Sequence, residues 1–191
     1  MVPPKILNIY IGFEAAETTA YHTLCHSIIE SASGPVRISP ICSKHFSAFF
    51  NRSRDPKQSN DFSFTRFLVP YLNQYDGHAI FMDCDMMLRT DIFKVFDEIS
   101  DQDAISVVQH DYTPSASVKY LNHKQYAYPR KNWSSFVVWN CGHISNQKLT
   151  PEFVEKATGL ELHRFTWLDD GEIGALNVAW NWLVGDYINP P

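Results

Sequence analysis

The sequence lacks several features that would each have assigned it a class. Its 191 residues contain no apolar run near the roughly 20 residues that a membrane-spanning helix needs. Its 16 Lys and Arg form no block, and the net charge is −5, so a phosphate-tracking surface for nucleic acid is not expected. Cys25, Cys42, Cys84 and Cys141 stand far apart with no C-x-x-C pair. That spacing argues against a zinc site or a disulfide framework and reads as reduced thiols in a cytoplasmic protein. The N-x-S sequons at Asn51 and Asn132 are accordingly expected to be unused. No P-loop, G-x-G-x-x-G or G-x-S-x-G elbow occurs, and no internal repeat or low-complexity linker. The opening "MVPPKILNIYIGF" has too short an apolar part, and no small-residue cleavage site, for a secretory leader.

What is present reads as one globular domain over residues 1–191, with 45% apolar and 19% charged residues. Aromatics at 14% suit a large core or an aromatic-walled pocket. "KILNIYIG" (5–12) predicts a buried strand. Residues 14–32 predict a helix, with Ala20/Tyr21, Leu24/Cys25 and Ile28/Ile29 on one stripe. Glu14 and Glu17 suit that helix's positive end, and Gly34-Pro35 stops it. "VRISPI" predicts a second strand, with Pro40 marking its end or a sheet edge, and the polar residues 51–61 predict a mobile loop. In "SFTRFLVPYL" Ser63 is the expected cap. Phe64, Phe67, Leu68 and Tyr71 share a face, Arg66 lies opposite, and Pro70 is expected to kink the helix. "HAIFM" and "AISVV" predict strands, and Asp91 caps the helix between them. Residues 110–133 are irregular and rich in Tyr and His. "SSFVVW" predicts a strand ending at Asn140, and Thr150-Pro151 opens a helix that Gly159 closes. Strands alternating with helices predict an α/β sandwich with a mixed, mostly parallel sheet. Ligands then sit beyond the strand carboxyl ends, where Gly12, Asp83 and Asn140 fall.

The most informative stretch is "AIFMDCDMML" (79–88), in which an apolar run meets two aspartates. In extended backbone, residues i and i+2 project to one side, so Asp83 and Asp85 are expected to converge. Converging carboxylates need a proton or a cation between them. Magnesium or manganese fits, with diphosphate oxygens completing its shell. The other reading is a turn in which each aspartate bonds backbone amides.

These residues resemble the D-x-D segment of GT-A-fold glycosyltransferases. Over about residues 5 to 185 the chain resembles their family-8-like, nucleotide-sugar-dependent branch. "ILNIYIGFEAAETTAYHTLCHSI" is similar to the first strand, nucleotide loop and helix, and "SFTRFLVPYL" to the helix bearing an arginine that faces the donor. "FVVWNCGH" resembles the N-x-G segment under the donor sugar, and "WLDDGEIGAL" the acidic element beside the reacting carbon. The resemblance implies a GT-A (Rossmann-like) fold and a hexosyltransferase that retains anomeric configuration. It would use Mn2+ or Mg2+ and a nucleotide-sugar, UDP being favoured by the resemblance, to glycosylate a hydroxyl acceptor. By the same resemblance, Asp83 and Asp85 hold the metal, and Cys84 contributes a backbone contact to the donor. Gly12 and Phe13 lie along the nucleotide. Arg66 touches the diphosphate or sugar, and Asn140 and Gly142 support the sugar. Asp170 hydrogen-bonds sugar hydroxyls near the reacting carbon, with Glu172 either assisting or acting only as a helix-start acid.

The family's usual C-terminal H-x-x-G-G-P-W-like segment, with its third metal ligand, has no counterpart before the final "VGDYINPP". His143 is the histidine nearest the site in sequence and reads as structural or solvent-facing. The expectation is a shortened relative that binds metal weakly without nucleotide. A homo-oligomer in which a neighbouring chain covers the site fits such shortening. Two other readings stand beside it. One is a nucleotide-sugar-binding protein without turnover. The other is a haloacid-dehalogenase-type phosphohydrolase with Asp83 as nucleophile. Against the second, that family carries D-x-D on its first strand, followed two places on by Thr or Val, where this chain has Met87.

Overall fold

The computed structural model describes residues 2–55, 58–110 and 130–187. Most of the Tyr- and His-rich stretch read as irregular, 111–129, lies outside them. Six strands form one sheet: β1 (Leu7–Gly12), β2 (Val36–Ile41), β3 (His78–Met82), β4 (Ile105–Val107), β5 (Phe136–Asn140) and β6 (Ile173–Ala175). Their order across the sheet is β2-β1-β3-β5-β4-β6. Pairings β1–β2, β1–β3 and β4–β6 are parallel, and β3–β5 and β4–β5 antiparallel. Five strands therefore run one way and β5 alone runs against them, in agreement with the α/β, mostly parallel sheet expected from the alternation. β3 is central and apolar after its first residue, as a strand covered on both faces must be. Pro40 sits on edge strand β2, where a missing N–H leaves no inner ladder broken.

Among the described residues four α-helices flank the sheet: α1 (Thr18–Ser31), α2 (Val69–Leu72), α3 (Pro151–Lys156) and α4 (Gly159–His163). α1 buries Tyr21, Leu24 and Ile28, the expected stripe, while Ile29 faces solvent. Asp91 accepts from the Phe93 amide at 3.1 Å and from the Ser33 amide at 3.0 Å, so one cap also fixes the end of α1.

Four local expectations need correction. Residues 65–72 form a 3-10 turn followed by α2, not one kinked helix. Pro70 falls in the first turn of α2, where no intrahelical partner awaits its N–H. Ser63 does not cap that helix; its hydroxyl donates to Asn60 instead. Gly159 does not close α3 but begins α4, because Thr158 and Glu161 form a capping box. Nor does the 51–55 part of the polar loop float clear of the fold. Arg52 Nη1 donates to the carbonyls of Val154, Glu155 and Ala157 at 2.8, 2.8 and 2.6 Å. Its guanidinium sits 3.6 Å from the Phe64 ring centroid, so it caps the end of α3 as a fixed cation. Residues 56 and 57 lie outside the described residues.

The aromatic content goes chiefly into the core. The Phe67 ring meets Trp139, Phe165 and Trp167 edge-on at 6.4, 6.2 and 5.9 Å between centroids. Gly12 ends β1 directly beneath Phe62, and a Cβ there would stand 2.3 Å from that ring. Its lack of a side chain is therefore required by packing. Gly12→Ala is expected to cost about 1–3 kcal/mol of stability, with most of it restored in a Gly12→Ala/Phe62→Leu double variant. Denaturant midpoints of the two variants check this, and an unchanged midpoint for the single variant would refute it.

Candidate functional site

The buried run of β3 delivers Asp83 to the edge where five of the six strands end. There the Asp83 amide donates to the Ser135 carbonyl at 2.8 Å, continuing the β3–β5 ladder by one residue. Its carboxylate Oδ1 lies 2.8 Å from Arg66 Nη1, with side-chain exposures of 18% and 5%. Arg66 also donates from Nη1 to the Ser134 carbonyl at 2.9 Å and from Nε to the Phe62 carbonyl at 3.4 Å. Its guanidinium lies 4.9 Å from the Phe81 ring centroid and 5.2 Å from that of Phe62. Arg66 lies off the apolar stripe, as the periodicity predicts, yet it does not face solvent; it is sealed beneath the sheet edge. An unpaired guanidinium there would cost several kcal/mol, and Asp83 with two carbonyls offsets that cost.

Beyond Asp83 the strand has ended, and Cys84 and Asp85 form a turn. Strict alternation therefore stops before it can align the two carboxylates: Asp83 is half-buried against Arg66, while Asp85 is exposed. Cys84 points inward, fully buried, and its thiol donates to Glu17 Oε2 at 3.1 Å. Burial first, then that bond and the nearby carboxylates, push the thiol far above its usual range, so it is not a nucleophile. The same contact draws the 3-10 turn Ala15–Glu17, which follows β1, against the D-x-D turn. Phe13 in that connection donates its amide to the Ile41 carbonyl at 2.9 Å, and its ring edge meets Tyr21 at 5.3 Å.

The residues that complete this edge come from a segment the sequence did not mark. β5 runs antiparallel to β3, so its beginning, not its end, lies beside Asp83. Residues 130–135 lead into it and engage much of the site. Ser134 and Ser135 hold Arg66 and Asp83 as described, and Ser134 Oγ lies 2.8 Å from His163 Nδ1. Trp133 Nε1 donates to the His110 carbonyl at 3.3 Å. Arg130 pairs with Asp170, donates to the Arg164 carbonyl at 2.7 Å and lies 5.5 Å from the Trp133 ring centroid. Arg130 and Asn132 both adopt left-handed backbone, φ 61° and 65°, which an arginine seldom does without tertiary restraint.

By the same reversal Asn140 and Gly142 leave the site. Asn140 pairs with His78 at the opposite edge of the sheet, so the match of "NCGH" to a sugar-supporting segment does not bring these residues to Asp83. Glu172 and His143 are also at that far edge. The Glu172 carbonyl accepts from the Ala104 amide at 2.8 Å, and its carboxylate accepts from Ser145 Oγ at 2.5 Å. The Ser145 hydroxyl first, then the Asp169 amide, hold Glu172 below its usual range, the behaviour of a helix-start acid. His143 Nδ1 accepts from the Ser145 amide at 3.3 Å and is structural. Asp170 is exposed and reaches the Asp83 edge through Arg130.

A second buried polar knot flanks this edge. His110, just past β4, is 7% exposed. Its Nδ1 lies 2.7 Å from Tyr187 Oη and its Nε2 3.0 Å from Asn181 Nδ2, which also donates to the Asn132 carbonyl at 3.1 Å. With Nε2 accepting from an amide the ring is neutral, and burial lowers its pKa to about 4 against a pull upward from Asp186.

Among the described residues no group of three or more His, Cys, Asp or Glu is arranged to hold a metal ion. The two carboxylates at the β3 edge offer hard oxygen ligands of the number that magnesium-type ions take when substrate phosphates supply the rest. Asp83 is turned to Arg66 while Asp85 faces solvent, so the described residues close no metal site by themselves, and a cation there would need phosphate oxygens to complete its shell. Two cavities among the described residues lie elsewhere. One of about 550 Å3 opens between Arg52 and Lys156, and one of about 100 Å3 lies between Ser43 and Thr65. Neither is lined by Asp83, Asp85 or Asp170.

This architecture has solved counterparts. The bifunctional glycosyltransferase WbbM in its apo form superposes with a TM-score of 0.61 at 13% identity, over 92% of this chain and 39% of that one. GlyE of Streptococcus pneumoniae TIGR4, a glycosyltransferase in its apo form, gives 0.56 at 13% identity, over 93% of this chain and 46% of that one. The galactosyltransferase LgtC, bound to donor and acceptor sugar analogs, gives 0.55 at 10% identity, over 91% of this chain and 74% of that one. The chain spans less than half the length of WbbM and of GlyE. At such identities the likeness is one of fold, and that fold is the GT-A-like sandwich of glycosyltransferases. No family model matches the sequence. Protein CDI of Arabidopsis thaliana is 45% identical over 183 residues, 95% of this chain and 71% of that protein. The chain belongs to the CDI family. No helix among the described residues is long and apolar enough to cross a membrane.

Two outcomes are expected. Asp83→Asn or Arg66→Met alone should cost about 3 kcal/mol, because each strands a largely buried partner. The double variant should cost clearly less than the two together, and simple additivity in denaturant melts would show that the pair is not coupled. For His110 the folded state resists a proton that the unfolded chain accepts near pH 6.5. Its contribution is therefore full above that pH and withdrawn as pH falls toward 4. Between pH 7.5 and 5 the wild type should lose about 2 kcal/mol more than His110→Gln; equal losses in urea melts would refute this.

Proposed function

We propose that this chain is a glycosyltransferase that moves a sugar from a nucleotide-sugar, UDP being the favoured carrier, to an acceptor hydroxyl. The observation that carries the reading is the Asp83–Arg66 pair at the carboxyl end of β3, inside a GT-A-like sheet. Strand ends of such sheets are where nucleotides bind. A carboxylate pre-set there on a buried cation suits a site that must receive a diphosphate.

In this reading Asp83 and Asp85 hold Mn2+ or Mg2+ together with the donor diphosphate. The ion supplies Lewis-acid stabilisation of the charge that develops as the sugar–phosphate bond breaks. Arg66, with Nε and Nη1 already committed to Phe62, Ser134 and Asp83, acts chiefly by fixing Asp83 and adding positive potential under the leaving group. Gly12, Phe13 and the Cys84 backbone lie where the Ala15–Glu17 turn meets the D-x-D turn and would border the nucleotide. Asp170, oriented by Arg130, is the acid proposed to meet sugar hydroxyls. Family-8-like retention of configuration belongs to this proposal as well.

The test is incubation with Mn2+ and a panel of UDP-sugars, with candidate acceptors, followed by measurement of UDP release. Release is expected with at least one donor, falling at least a hundredfold in Asp83→Ala and Asp85→Ala. Calorimetry should detect only weak Mn2+ binding before UDP is added. Nucleotide-sugar binding without turnover under every condition would make the chain a binding protein and overturn the transferase reading. Phosphate release from simple phosphoesters would point to the phosphohydrolase instead.

A further inference from the structure

Next to the proposed site stands a histidine that neither the D-x-D reading nor the comparisons assign. His163 is the last residue of α4, and its Nδ1 shares a 2.8 Å hydrogen bond with Ser134 Oγ, the direction depending on the imidazole tautomer. Ser134 is 5% exposed. Its carbonyl accepts from Arg66 Nη1 at 2.9 Å, and the same Nη1 lies 2.8 Å from Asp83. The neighbouring Ser135 carbonyl accepts the Asp83 amide at 2.8 Å. The imidazole is itself held edge-on against the Phe67 ring, centroids 5.1 Å apart, within the aromatic core.

We infer that His163 is a positioning residue for the sugar-transfer site, acting through Ser134 to fix Arg66 and thereby the Asp83 carboxylate. The inference deepens the proposed function and rests on it. The physical need is specific. Residues 130–135 enter β5 through left-handed backbone at Arg130 and Asn132 and a 3-10 turn, in which the peptide plane bearing the Ser134 carbonyl is held by one turn bond, from the Ser135 amide to the Asn132 carbonyl at 3.2 Å. The only side-chain bond described for Ser134 runs to His163. The Ser134–His163 bond ties that turn to α4 and the aromatic core, and the Ser134 carbonyl carried by the turn receives the guanidinium. Without the tie the turn keeps only its own hydrogen bond, the carbonyl that receives Arg66 can shift, and Asp83 is less well placed for a diphosphate-bound cation. Outer-shell partners of this kind commonly contribute about 10- to 100-fold to affinity or activity.

The experiment compares wild type with His163→Phe, which keeps the ring against Phe67, and His163→Asn, which keeps a hydrogen-bonding atom near the Nδ1 position. Ser134→Ala and the His163→Phe/Ser134→Ala pair complete the set. Calorimetric titration with UDP in saturating Mn2+ is expected to give affinity about tenfold weaker in His163→Phe and in Ser134→Ala. The double variant should be no weaker than either single, and His163→Asn should lie within about twofold of wild type. Wild-type affinity retained in His163→Phe, equal loss in His163→Asn, or multiplicative losses in the double variant would each overturn the inference. If wild type binds no UDP, the functional reading fails by itself, and a crystal structure of His163→Phe still decides the positioning role. Arg66 Nη1 withdrawn from Asp83 beyond about 3.5 Å supports that role, and an unchanged pair refutes it.

Discussion

A guanidinium enclosed beneath a sheet edge must find acceptors, and the residues around the end of β3 are arranged to meet that need. Arg66 is nearly inaccessible, yet it meets a carboxylate and two main-chain carbonyls and lies close to two aromatic faces. In exchange it fixes the one aspartate that the apolar β3 strand carries to the surface. Replacing such a pair with apolar residues can be neutral for stability, whereas breaking half of it is not. In the proposed function the pair serves to pre-organise charge for a ligand more than to stabilise the fold.

The reversed strand makes the arrangement possible. Were β5 parallel to its neighbours, the loop preceding it would emerge at the far edge, where Asn140, His143 and Glu172 now form a structural cluster. Running antiparallel, β5 instead brings Ser134 and Ser135 to Asp83. Their loop then ties outward to His163, to Asp170 through Arg130, and to the His110 knot through Trp133 and Asn132. Residues far apart in sequence thus share one rigid edge, with Cys84 and Glu17 joining it to the end of β1.

Much of this could be read from the sequence where a local rule sufficed. Five of the six strands, the α1 stripe, the Asp91 and Thr150 caps and the edge position of the Pro40 strand followed from periodicity and capping chemistry. So did the placing of Asp83 at a strand's carboxyl end. The failures share a cause. Periodicity shows that 134–139 is extended but not which way it runs, so Asn140 and Gly142 were assigned to the wrong edge. Helical phase shows that Arg66 lies off the apolar stripe but not that a loop more than sixty residues away closes over it. The short strand β6 is hidden inside an acidic segment, and the alternation that would align Asp85 with Asp83 runs past the end of β3 into a turn. Only "KNWSS" carried a faint signal, polar residues set between a Pro and an apolar strand, and no local rule marks such a segment as functional.

The central claim is that the β3 edge receives a cation-bound nucleotide diphosphate at a carboxylate pre-set by Arg66. A crystal structure of the protein grown with Mn2+ and UDP tests it most directly. The account predicts the ion on Asp83 and Asp85, bridged to both phosphates, with Arg66 still holding Asp83. Nucleotide bound away from β3, or Asp83 closed on Arg66 with no ion beside it while UDP is present, would contradict it.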